Sequence, residues 1–353
     1  MSLEEFITDW HSDSPTVLVH TSGSTGSPKP MLVEKQRMEA SARMTCRFLG
    51  LKRGDTALLC MPLDFIAGKM MAVRALTCGL KLVSVPPGGH PLSLETHADE
   101  QSSQASRLSS RTTLDLVAMV PMQVYNTLQV PEERERLMRV RHLLIGGGAV
   151  DSSMEAQLRS FPNAVWSTYG MTETLSHIAL RRLNGPDATG WYTPMQGVSV
   201  TVNDEGCLVI DAPAVHEGLL VTNDIAETSG GHFRIVGRKD NVICSGGLKI
   251  HVEQVEQTLH NHTDLPLLVS KRQDEKYGQA VTLLAMPQHM AALKQLCNRV
   301  LPRYWKPRYY VAVQQLPMTA TGKPARSEAE AMANVKTFAT AGNPYGLWRE
   351  TTV

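Results

Sequence analysis

Four short apolar runs in the first 150 residues each have proline or glycine as their last or next-to-last residue: TALLCMPL, LKLVSVPP, LDLVAMVP and VRHLLIGGG. Several of the segments between them carry apolar residues at helical spacing. Short apolar runs that alternate with helices are typical of buried strands in a largely parallel sheet with helices on both faces. The sequence therefore predicts an α/β fold for this part of the chain.

The pattern changes near residue 196, where apolar residues begin to alternate with polar ones. In GVSVTVNDEGCLVIDAP the alternation surrounds the turn residues 203–206, which predicts two antiparallel strands joined by a hairpin. A basic, polar turn, GRKDN, then interrupts the strands at residues 237–241. We therefore expect a large α/β domain with a β-rich subdomain over residues 1–239, and a small α+β domain over residues 240–353.

The small C-terminal domain is expected to contain two amphipathic helices. In KIHVEQVEQTLHNH, the apolar residues Ile250, Val255 and Leu259 lie roughly on one helical face, and MAALKQLCNRVL has a similar pattern. An apolar stripe of this kind allows a helix to pack on a sheet while its other face contacts water.

Net charge excludes several kinds of partner. The 353 residues include 35 basic and 34 acidic residues, so there is no basic excess for nucleic acid or an anionic membrane. No apolar run approaches the roughly 18 residues of a membrane span, and the N-terminus does not resemble a signal peptide. We expect a cytoplasmic protein with no membrane span and no nucleic-acid partner, and a homodimer is one candidate assembly.

Cysteine and histidine do not form a recognisable metal or disulfide pattern. The six cysteines are far apart and include no C-x-x-C pair, so they are interpreted as buried free thiols. His260 and His262 lie two residues apart but have no companion ligands nearby, so no metal site is predicted there.

Hydroxyls, two glycines and a lysine are concentrated in HTSGSTGSPKP, residues 20–30. Glycines let backbone N–H groups approach phosphate oxygens, hydroxyls add neutral donors, and a lysine supplies positive charge. The spacing differs from the G-x-x-x-x-G-K-[ST] loop of NTPases, so that class is excluded. Phosphate binding and a solvated Ser/Gly turn both remain open from this stretch alone. The candidate phosphate-binding residues are Thr21, Ser22, Gly23, Ser24, Thr25, Gly26 and Lys29.

A second polar stretch, STYGMTET, combines four groups that suit a nucleotide. Tyr169 offers an aromatic face, Gly170 close backbone access, Thr172 a hydroxyl donor and Glu173 an oxygen ligand for Mg²⁺. A strand followed by an ordinary turn explains the same stretch equally well.

Three further stretches carry candidate groups in the rest of the chain. In VTNDIAE, Asp224 follows an apolar segment and could bind both hydroxyls of a ribose, although a turn-forming aspartate is the simpler explanation. GRKDNVICSGGLKIHVEQVE and LPMTATGKPAR add a polar turn, two adjacent glycines and a lysine in a Thr/Gly-rich loop; their candidate residues are Arg238, Asp240, Gly246, Gly247 and Lys323.

Taken together and in this order, the five stretches resemble the acyl-adenylate-forming superfamily of acyl-CoA synthetases, adenylation domains and luciferases. The family's T-S-G-S-T-G-x-P-K loop matches residues 21–29, and its Y-G-x-T-E matches residues 169–173. Its ribose aspartate matches Asp224, its G-R-x-x-D hinge matches residues 237–240, and its lysine loop matches the segment around Lys323. The resemblance covers nearly the whole chain from Thr16 onward.

The resemblance implies a two-step reaction that uses ATP, Mg²⁺ and CoA. A carboxylate first attacks the α-phosphorus of ATP, giving acyl-AMP and pyrophosphate, and a thiol then attacks the acyl-AMP. It implies that Lys323 bridges the carboxylate and the α-phosphate, that Thr172 donates to the phosphate and that Glu173 holds Mg²⁺. Arg238 and Asp224 would hold the ribose, and Tyr169 would flank the adenine.

The resemblance also implies a moving C-terminal domain. In the family this domain rotates about a hinge residue, here Asp240, between the two half-reactions. The rotation would withdraw the lysine loop and bring Gly246 and Gly247 to a pantetheine tunnel, where a side chain would block the thiol.

Three local features are similar to the o-succinylbenzoate–CoA ligases of menaquinone biosynthesis. They are LLIGGGAVDSSMEAQ, with Gly147 and Gly148 at a strand end, YGMTETLSHIAL and AMVPMQVYNTL. The implied acid has a second carboxylate, whose burial would be costly without basic or amide partners. Segments that would flank this pocket contain Arg74, Gln123 and Ser176.

Other aryl- or fatty-acid–CoA ligases, a carrier-loading adenylation domain and a non-catalytic nucleotide-binding module remain alternatives.

The chain departs from the family pattern at three places. About twenty residues precede the phosphate loop, where relatives usually carry over a hundred, so part of the large domain is expected to be missing. Pro30 replaces the usual glycine after Lys29, which removes an N–H and fixes φ. Asp64 and Phe65 stand where many relatives have an aromatic residue and a histidine.

Overall fold

The computed structural model describes residues 1–20, 30–94, 108–109, 112–319 and 323–335. Its elements up to residue 194 are, in order, α1 (Leu3–His11), β1 (Thr16–His20), β2 (Pro30–Glu34), α2 (Lys35–Leu49), β3 (Thr56–Leu59), α3 (Ile66–Cys78), β4 (Lys81–Ser84), β5 (Leu116–Met119), α4 (Pro121–Gln129), α5 (Pro131–Met138), β6 (His142–Ile145), α6 (Ser152–Leu158), β7 (Ala164–Gly170), β8 (His177–Arg182) and β9 (Thr193–Pro194). They are followed by β10 (Ser199–Val202), β11 (Cys207–Asp211), β12 (Leu219–Ser229), β13 (His232–Arg238), β14 (Val242–Ser245), β15 (Leu248–His251), α7 (Val252–His260), β16 (Leu267–Asp274), β17 (Gly278–Ala285), α8 (Pro287–Val300), β18 (Tyr309–Ala312) and α9 (Arg326–Asn334).

A seven-stranded sheet in the order β4-β3-β5-β6-β7-β8-β9 carries the large domain. Its first five strands are parallel and its last two are antiparallel. The four apolar runs form β3, β4, β5 and β6, which confirms the predicted α/β fold. Apolar side chains on its two faces belong to two separate clusters, one including α2 and α3 and the other α4, α5 and α6.

The carboxyl ends of the parallel strands meet at one edge of this sheet, where ligands of open α/β sheets usually bind. The loops that follow β5, β6 and β7 all leave from this edge. Because β8 runs antiparallel to β7, its first residue, His177, also lies there. The edge therefore brings together the triple glycine, the STYGMTET turn and the start of α4.

A four-stranded antiparallel sheet, β10-β11-β12-β13, follows. The predicted hairpin is confirmed, because β10 pairs with β11 across the turn at residues 203–206. Asn203 shapes that turn by accepting hydrogen bonds from the backbone N–H groups of Glu205 and Cys207 at 3.1 and 2.9 Å.

The C-terminal part has its own five-stranded sheet and two apolar clusters of its own. A short 3₁₀ turn, Lys239–Asn241, lies between this sheet and the preceding one. The proposed boundary at residue 240 falls in this turn and stays a prediction. One detail of the sequence interpretation is wrong: Ile250 belongs to β15, and the helix begins at Val252, so Val252, Val255 and Leu259 form its buried face.

The expectation of buried cysteines is correct for four of the six. Cys46, Cys60, Cys207 and Cys297 are buried, Cys78 is half-buried and Cys244 is exposed. Cys244 lies at an outward position of β14, opposite the exposed Lys249 of β15. In the part of the chain that the structure describes, no helix is both long enough and apolar enough to cross a membrane.

Candidate active site

The predicted phosphate loop connects β1 and β2. The residues assigned to it, Thr21, Ser22, Gly23, Ser24, Thr25, Gly26 and Lys29, lie outside the described residues. The two ends of the loop are described: His20 pairs with Pro30 across the antiparallel β1–β2 pair. His20 also forms a bridge with Phe65, just before α3. The residue before the loop thus lies beside the start of α3, the helix that carries Arg74.

Asp224 is the centre of a polar cluster. Tyr169 donates its hydroxyl to Asp224 Oδ2 at 2.6 Å, and Arg238 Nη1 donates to Asp224 Oδ1 at 3.1 Å. Asp224 and Arg238 face each other across β12 and β13, so the register of the β-rich subdomain sets this pair. Burial, and then the charge of Asp224, raise the pKa of Tyr169, which keeps the phenol protonated as a donor.

The same arginine connects this cluster to the predicted hinge. Arg238 Nη2 donates to Asp240 Oδ2 at 3.2 Å, and Asn223 donates to the same oxygen at 3.2 Å. Asp240 and its neighbours in the 3₁₀ turn are largely exposed. Two residues beside the candidate ribose position therefore contact the residue about which the C-terminal domain is predicted to rotate.

Lys323 lies in the C-terminal part of the chain, just before α9, and is half-buried. Its backbone is held by Thr319, since Lys323 N donates to Thr319 Oγ1 at 3.1 Å and its carbonyl accepts from Thr319 N at 2.7 Å. Burial, and then the charge of Arg238, lower the pKa of Lys323. The charges of Lys323 and Arg238, which the sequence assigned to one nucleotide, therefore lie near enough to act on each other.

This environment predicts an alkaline limit on acyl-AMP formation. Because the pKa of Lys323 is lowered, its positive charge is lost as the pH rises through a value below the usual pKa of lysine. We expect the kcat/KM of the wild-type protein to fall over that range. A Lys323→Arg variant with measurable activity should lack this fall, because arginine remains charged. A limit at the same pH in both proteins would exclude Lys323 as its source.

In the STYGMTET turn, which follows β7, backbone segments pack closely against one another. Thr172–Thr174 forms a 3₁₀ turn in which Thr172 is buried and Glu173 is exposed. Leu175 is buried at φ +64°, a conformation that is strained for a branched side chain. A Cβ built on Gly170 would lie 2.2 Å from the carbonyl oxygen of Ser176, so glycine is required there.

The reason for glycine differs among the predicted glycine positions: some have a positive φ, and others have no room for a side chain. Gly147 has φ +78°, whereas a Cβ on its neighbour Gly146 would lie 2.5 Å from Thr168 Oγ1. Gly148 is exposed at the same edge of the sheet. Gly246 and Gly247 form the β14–β15 turn with φ of +58° and +82°. Gly246 N donates to the carbonyl of Tyr277 at 2.9 Å, so this turn is anchored within the C-terminal part.

Arg74 is a buried cation of α3, in one of the segments that the sequence predicts beside the acyl pocket. It is 2% exposed, and its Nη2 donates to Ser176 Oγ at 2.7 Å, while its Nε is buried without a hydrogen-bond partner. No aspartate or glutamate of the described ranges forms an ion pair with it. Burial lowers the pKa of Arg74 to about 10. An unpaired buried guanidinium favours an anionic ligand.

Gln123, the third residue expected at the acyl pocket, has a different role in the structure. Its Nε2 donates to the carbonyls of Gly88 and Cys60 at 2.9 and 3.3 Å, and its Oε1 accepts from Val120 N at 3.1 Å. Both the nitrogen and the oxygen of the Gln123 amide are therefore used in hydrogen bonds that hold loops together at the sheet edge.

Sequence reasoning missed two residues behind Arg74. His177 is buried, with Nδ1 3.3 Å from Ser176 Oγ and Nε2 3.0 Å from Thr45 Oγ1. Thr45 belongs to α2, and it is 132 positions away in the sequence. No local pattern connects these positions, so the contact becomes visible only when α2 packs against the sheet.

Comparison with known proteins defines the family. A family model described as AMP-binding enzyme matches residues 4–222, which is more than half of the chain. The chain belongs to the AMP-binding enzyme family. This confirms the resemblance inferred from the five sequence stretches.

Individual members of the family are similar over most of this chain. It is 27% identical to a 2-succinylbenzoate–CoA ligase of Haemophilus influenzae over 281 residues, 75% of this chain and 58% of that protein. An acyl-CoA synthetase (AMP-forming)/AMP-acid ligase II-like protein from Dyadobacter fermentans is 32% identical, with a TM-score of 0.61 and coverage of 92% and 91%. The o-succinylbenzoate CoA synthetase of Bacillus subtilis, solved with its acyl-adenylate, shares the fold at 22% identity, with a TM-score of 0.70 and coverage of 88% and 68%.

Proposed function

We propose that the protein is an ATP-dependent acid–CoA ligase that activates a carboxylate as acyl-AMP and transfers the acyl group to CoA. The observation that carries the proposal is the cluster in which Tyr169 and Arg238 both contact Asp224, with Lys323 near enough to Arg238 for the two charges to act on each other. It combines two hydroxyl-binding oxygens with two cations in one place. This combination of groups suits a ribose that is covalently linked to a phosphate, because such a ligand offers hydroxyl donors and negative charge together.

In the first half-reaction, a carboxylate oxygen of the acid attacks the α-phosphorus of ATP, and pyrophosphate leaves with the electrons of the broken P–O bond. Lys323 and Thr172 stabilise negative charge on the α-phosphate, and Lys323 also orients the carboxylate. Asp224 and Arg238 bind the ribose, and Tyr169 lies against the adenine. Catalysis therefore depends on positioning and on charges that are already in place.

Glu173 suits a magnesium ligand because its carboxylate is exposed at the turn beside Thr172. No group of three His, Cys, Asp or Glu side chains able to hold a metal occurs within the described segments. Magnesium in nucleotide sites usually has one or two protein carboxylates, with phosphate oxygens and water completing its shell. Bound there, Mg²⁺ would neutralise phosphate charge.

In the second half-reaction, the CoA thiol attacks the acyl carbon and AMP leaves. We infer that the C-terminal part rotates about Asp240, which carries Lys323 away and brings Gly246 and Gly247 to the thiol. The contacts of Asp240 with Arg238 and Asn223 support a hinge that responds to the nucleotide.

We propose o-succinylbenzoate as the acid, which would place the protein in menaquinone biosynthesis. This acid has a second carboxylate, and Arg74 is a buried cation beside Ser176 whose Nε has no hydrogen-bond partner. The names of the similar ligases support the same acid. A cytoplasmic location and a homodimer stay predictions.

A coupled assay over a panel of acids tests the proposed function. The purified protein is incubated with ATP, MgCl₂ and CoA, and pyrophosphate and thioester are measured separately. We expect both products with o-succinylbenzoate, and little of either with benzoate or fatty acids. Pyrophosphate without thioester would indicate a carrier-loading adenylation domain, and nucleotide binding without turnover would contradict enzymatic function.

Replacing Gly247 with leucine should affect the two half-reactions differently. Gly247 has φ +82°, so leucine is strained there, although the structure leaves open space around the position of its Cβ. We expect pyrophosphate release to be largely retained and thioester formation to fall by at least about tenfold. The matched control is Gly231→Leu, at φ +81° in the exposed β12–β13 turn, which should leave both rates nearly unchanged. Equal loss of both half-reactions in Gly247→Leu would indicate misfolding.

A further inference from the structure

A continuous chain of hydrogen bonds extends from Arg74 into α2. Arg74 Nη2 contacts Ser176 Oγ at 2.7 Å, Ser176 Oγ contacts His177 Nδ1 at 3.3 Å, and His177 Nε2 contacts Thr45 Oγ1 at 3.0 Å. Thr45 Oγ1 in turn donates to the carbonyl of Ser41 at 3.2 Å. Four of these five residues are buried. The chain thus joins α3, the start of β8 and α2.

The direction of every hydrogen bond in this chain can be assigned. A guanidinium can only donate, so Ser176 Oγ accepts from Arg74 and its own hydrogen is free for His177 Nδ1. His177 then carries its proton on Nε2 and donates to Thr45 Oγ1, whose hydrogen goes to Ser41. The other tautomer would leave the Ser176 hydrogen without an acceptor in this chain of contacts.

The charge state of His177 agrees with this assignment. Burial, and then the charge of Arg74, lower the pKa of His177 well below its usual value, so the ring is neutral. The other ionisable groups near Arg74 are the thiols of Cys46 and Cys78. A neutral ring is required, because a doubly protonated imidazole has no lone pair for the Ser176 hydroxyl.

We propose that His177, held by Thr45, is a positioning residue that fixes Ser176 and thereby aims the Arg74 guanidinium at an anionic group of the acid substrate. The inference rests on the proposed function for the identity of that acid, and the tautomer of His177 can be tested independently. His177 does not contact the reacting atoms. Its effect is on how tightly the second anionic group of the acid is held.

Kinetic variants separate this role from a purely structural one. His177→Phe keeps a ring but removes both nitrogens, and we expect the KM for o-succinylbenzoate to rise about 3- to 10-fold with kcat little changed. His177→Asn places an amide oxygen near the position of Nδ1 and should restore most of the lost affinity. Thr45→Val removes the partner of Nε2 and should give a smaller increase of the same kind.

The control acid is 4-oxo-4-phenylbutanoate, which keeps the ketone and one carboxylate. Its KM should be nearly the same in all variants, because it has no second anionic group for Arg74. Equal increases for both acids, or a fall in kcat without a change in KM, would overturn the proposal. The melting temperature of each variant shows whether it is folded. If His177→Phe does not fold, the comparison of the two acids is made with His177→Asn and Thr45→Val instead.

A spectroscopic measurement completes the test without depending on the acid. In the full-length protein labelled with ¹⁵N-histidine, His177 should give the signals of a neutral ring protonated at Nε2 between pH 6 and 8. Thr45→Val serves to assign them, because it should shift the Nε2 signal most. A ring protonated at Nδ1, or charged in this range, would contradict the proposal. Failure of the wild-type protein to use o-succinylbenzoate would instead contradict the proposed function.

Discussion

Acyl-AMP formation should fall by about 100-fold or more when Lys323 is replaced with alanine, while attack of CoA on supplied acyl-AMP should change much less. Removal of one preorganised donor to a developing charge typically has an effect of this size. Lys323 is partly buried beside Arg238, and both factors lower its pKa. The positive charge is therefore held where it is unfavourable until anionic phosphate and carboxylate arrive, so its interaction with them is strong.

The two half-reactions of this variant are measured separately. Pyrophosphate release without CoA reports acyl-AMP formation, and AMP release from synthetic acyl-AMP with CoA reports thioester formation. Lys52→Ala is the control, because Lys52 is an exposed lysine just before β3, at the opposite edge of the large sheet. It should leave both rates unchanged. A comparable fall in both half-reactions of Lys323→Ala would contradict the role given to this lysine.

Replacing Arg74 with methionine should raise the KM for o-succinylbenzoate by roughly 10- to 100-fold. Hydrogen bonds to a charged group contribute more than neutral ones, and this guanidinium is 2% exposed. The KM for 4-oxo-4-phenylbutanoate should change little. Methionine has a similar length and no charge, so stability should be unchanged or increased, because an unpaired buried cation is removed.

Two outcomes would contradict this role of Arg74. One is an equal rise in KM for both acids. The other is a strong fall in melting temperature, which would show that the guanidinium stabilises the fold instead of binding substrate. Arg47→Met is a suitable control, since Arg47 is an exposed arginine of α2 that donates to Gln196 at the surface.

The sequence predicted the layers of the fold, and it assigned to one nucleotide three side chains that contact one another in the structure, Tyr169, Asp224 and Arg238. Short apolar runs that end in glycine or proline identify β3 to β6 because burial on both faces leaves them little room for polar residues. Asp224 and Arg238 could be assigned to one ligand from motif order, and the register of β12 and β13 places them face to face.

Contacts between distant side chains could not be predicted in this way. The contact between Thr45 and His177 depends on how α2 packs against β8, and neither residue has a local signal. The strained φ of Leu175 and the crowding at Gly170 depend on the path of the turn after β7. The spacing of Ile250 relative to Val255 and Leu259 fits a helix, but pairing with Ile243 places Ile250 in β15.

The central claim is that segments from both ends of the chain surround one adenylate. A crystal structure with a sulfamoyl-adenosine analogue of o-succinylbenzoyl-AMP tests it most directly. We expect the ribose hydroxyls on Asp224, the sulfamoyl group near Lys323 and Thr172, and the second carboxylate on Arg74. An analogue bound with its ribose away from Asp224, or with Arg74 still lacking an anionic partner, would contradict the account.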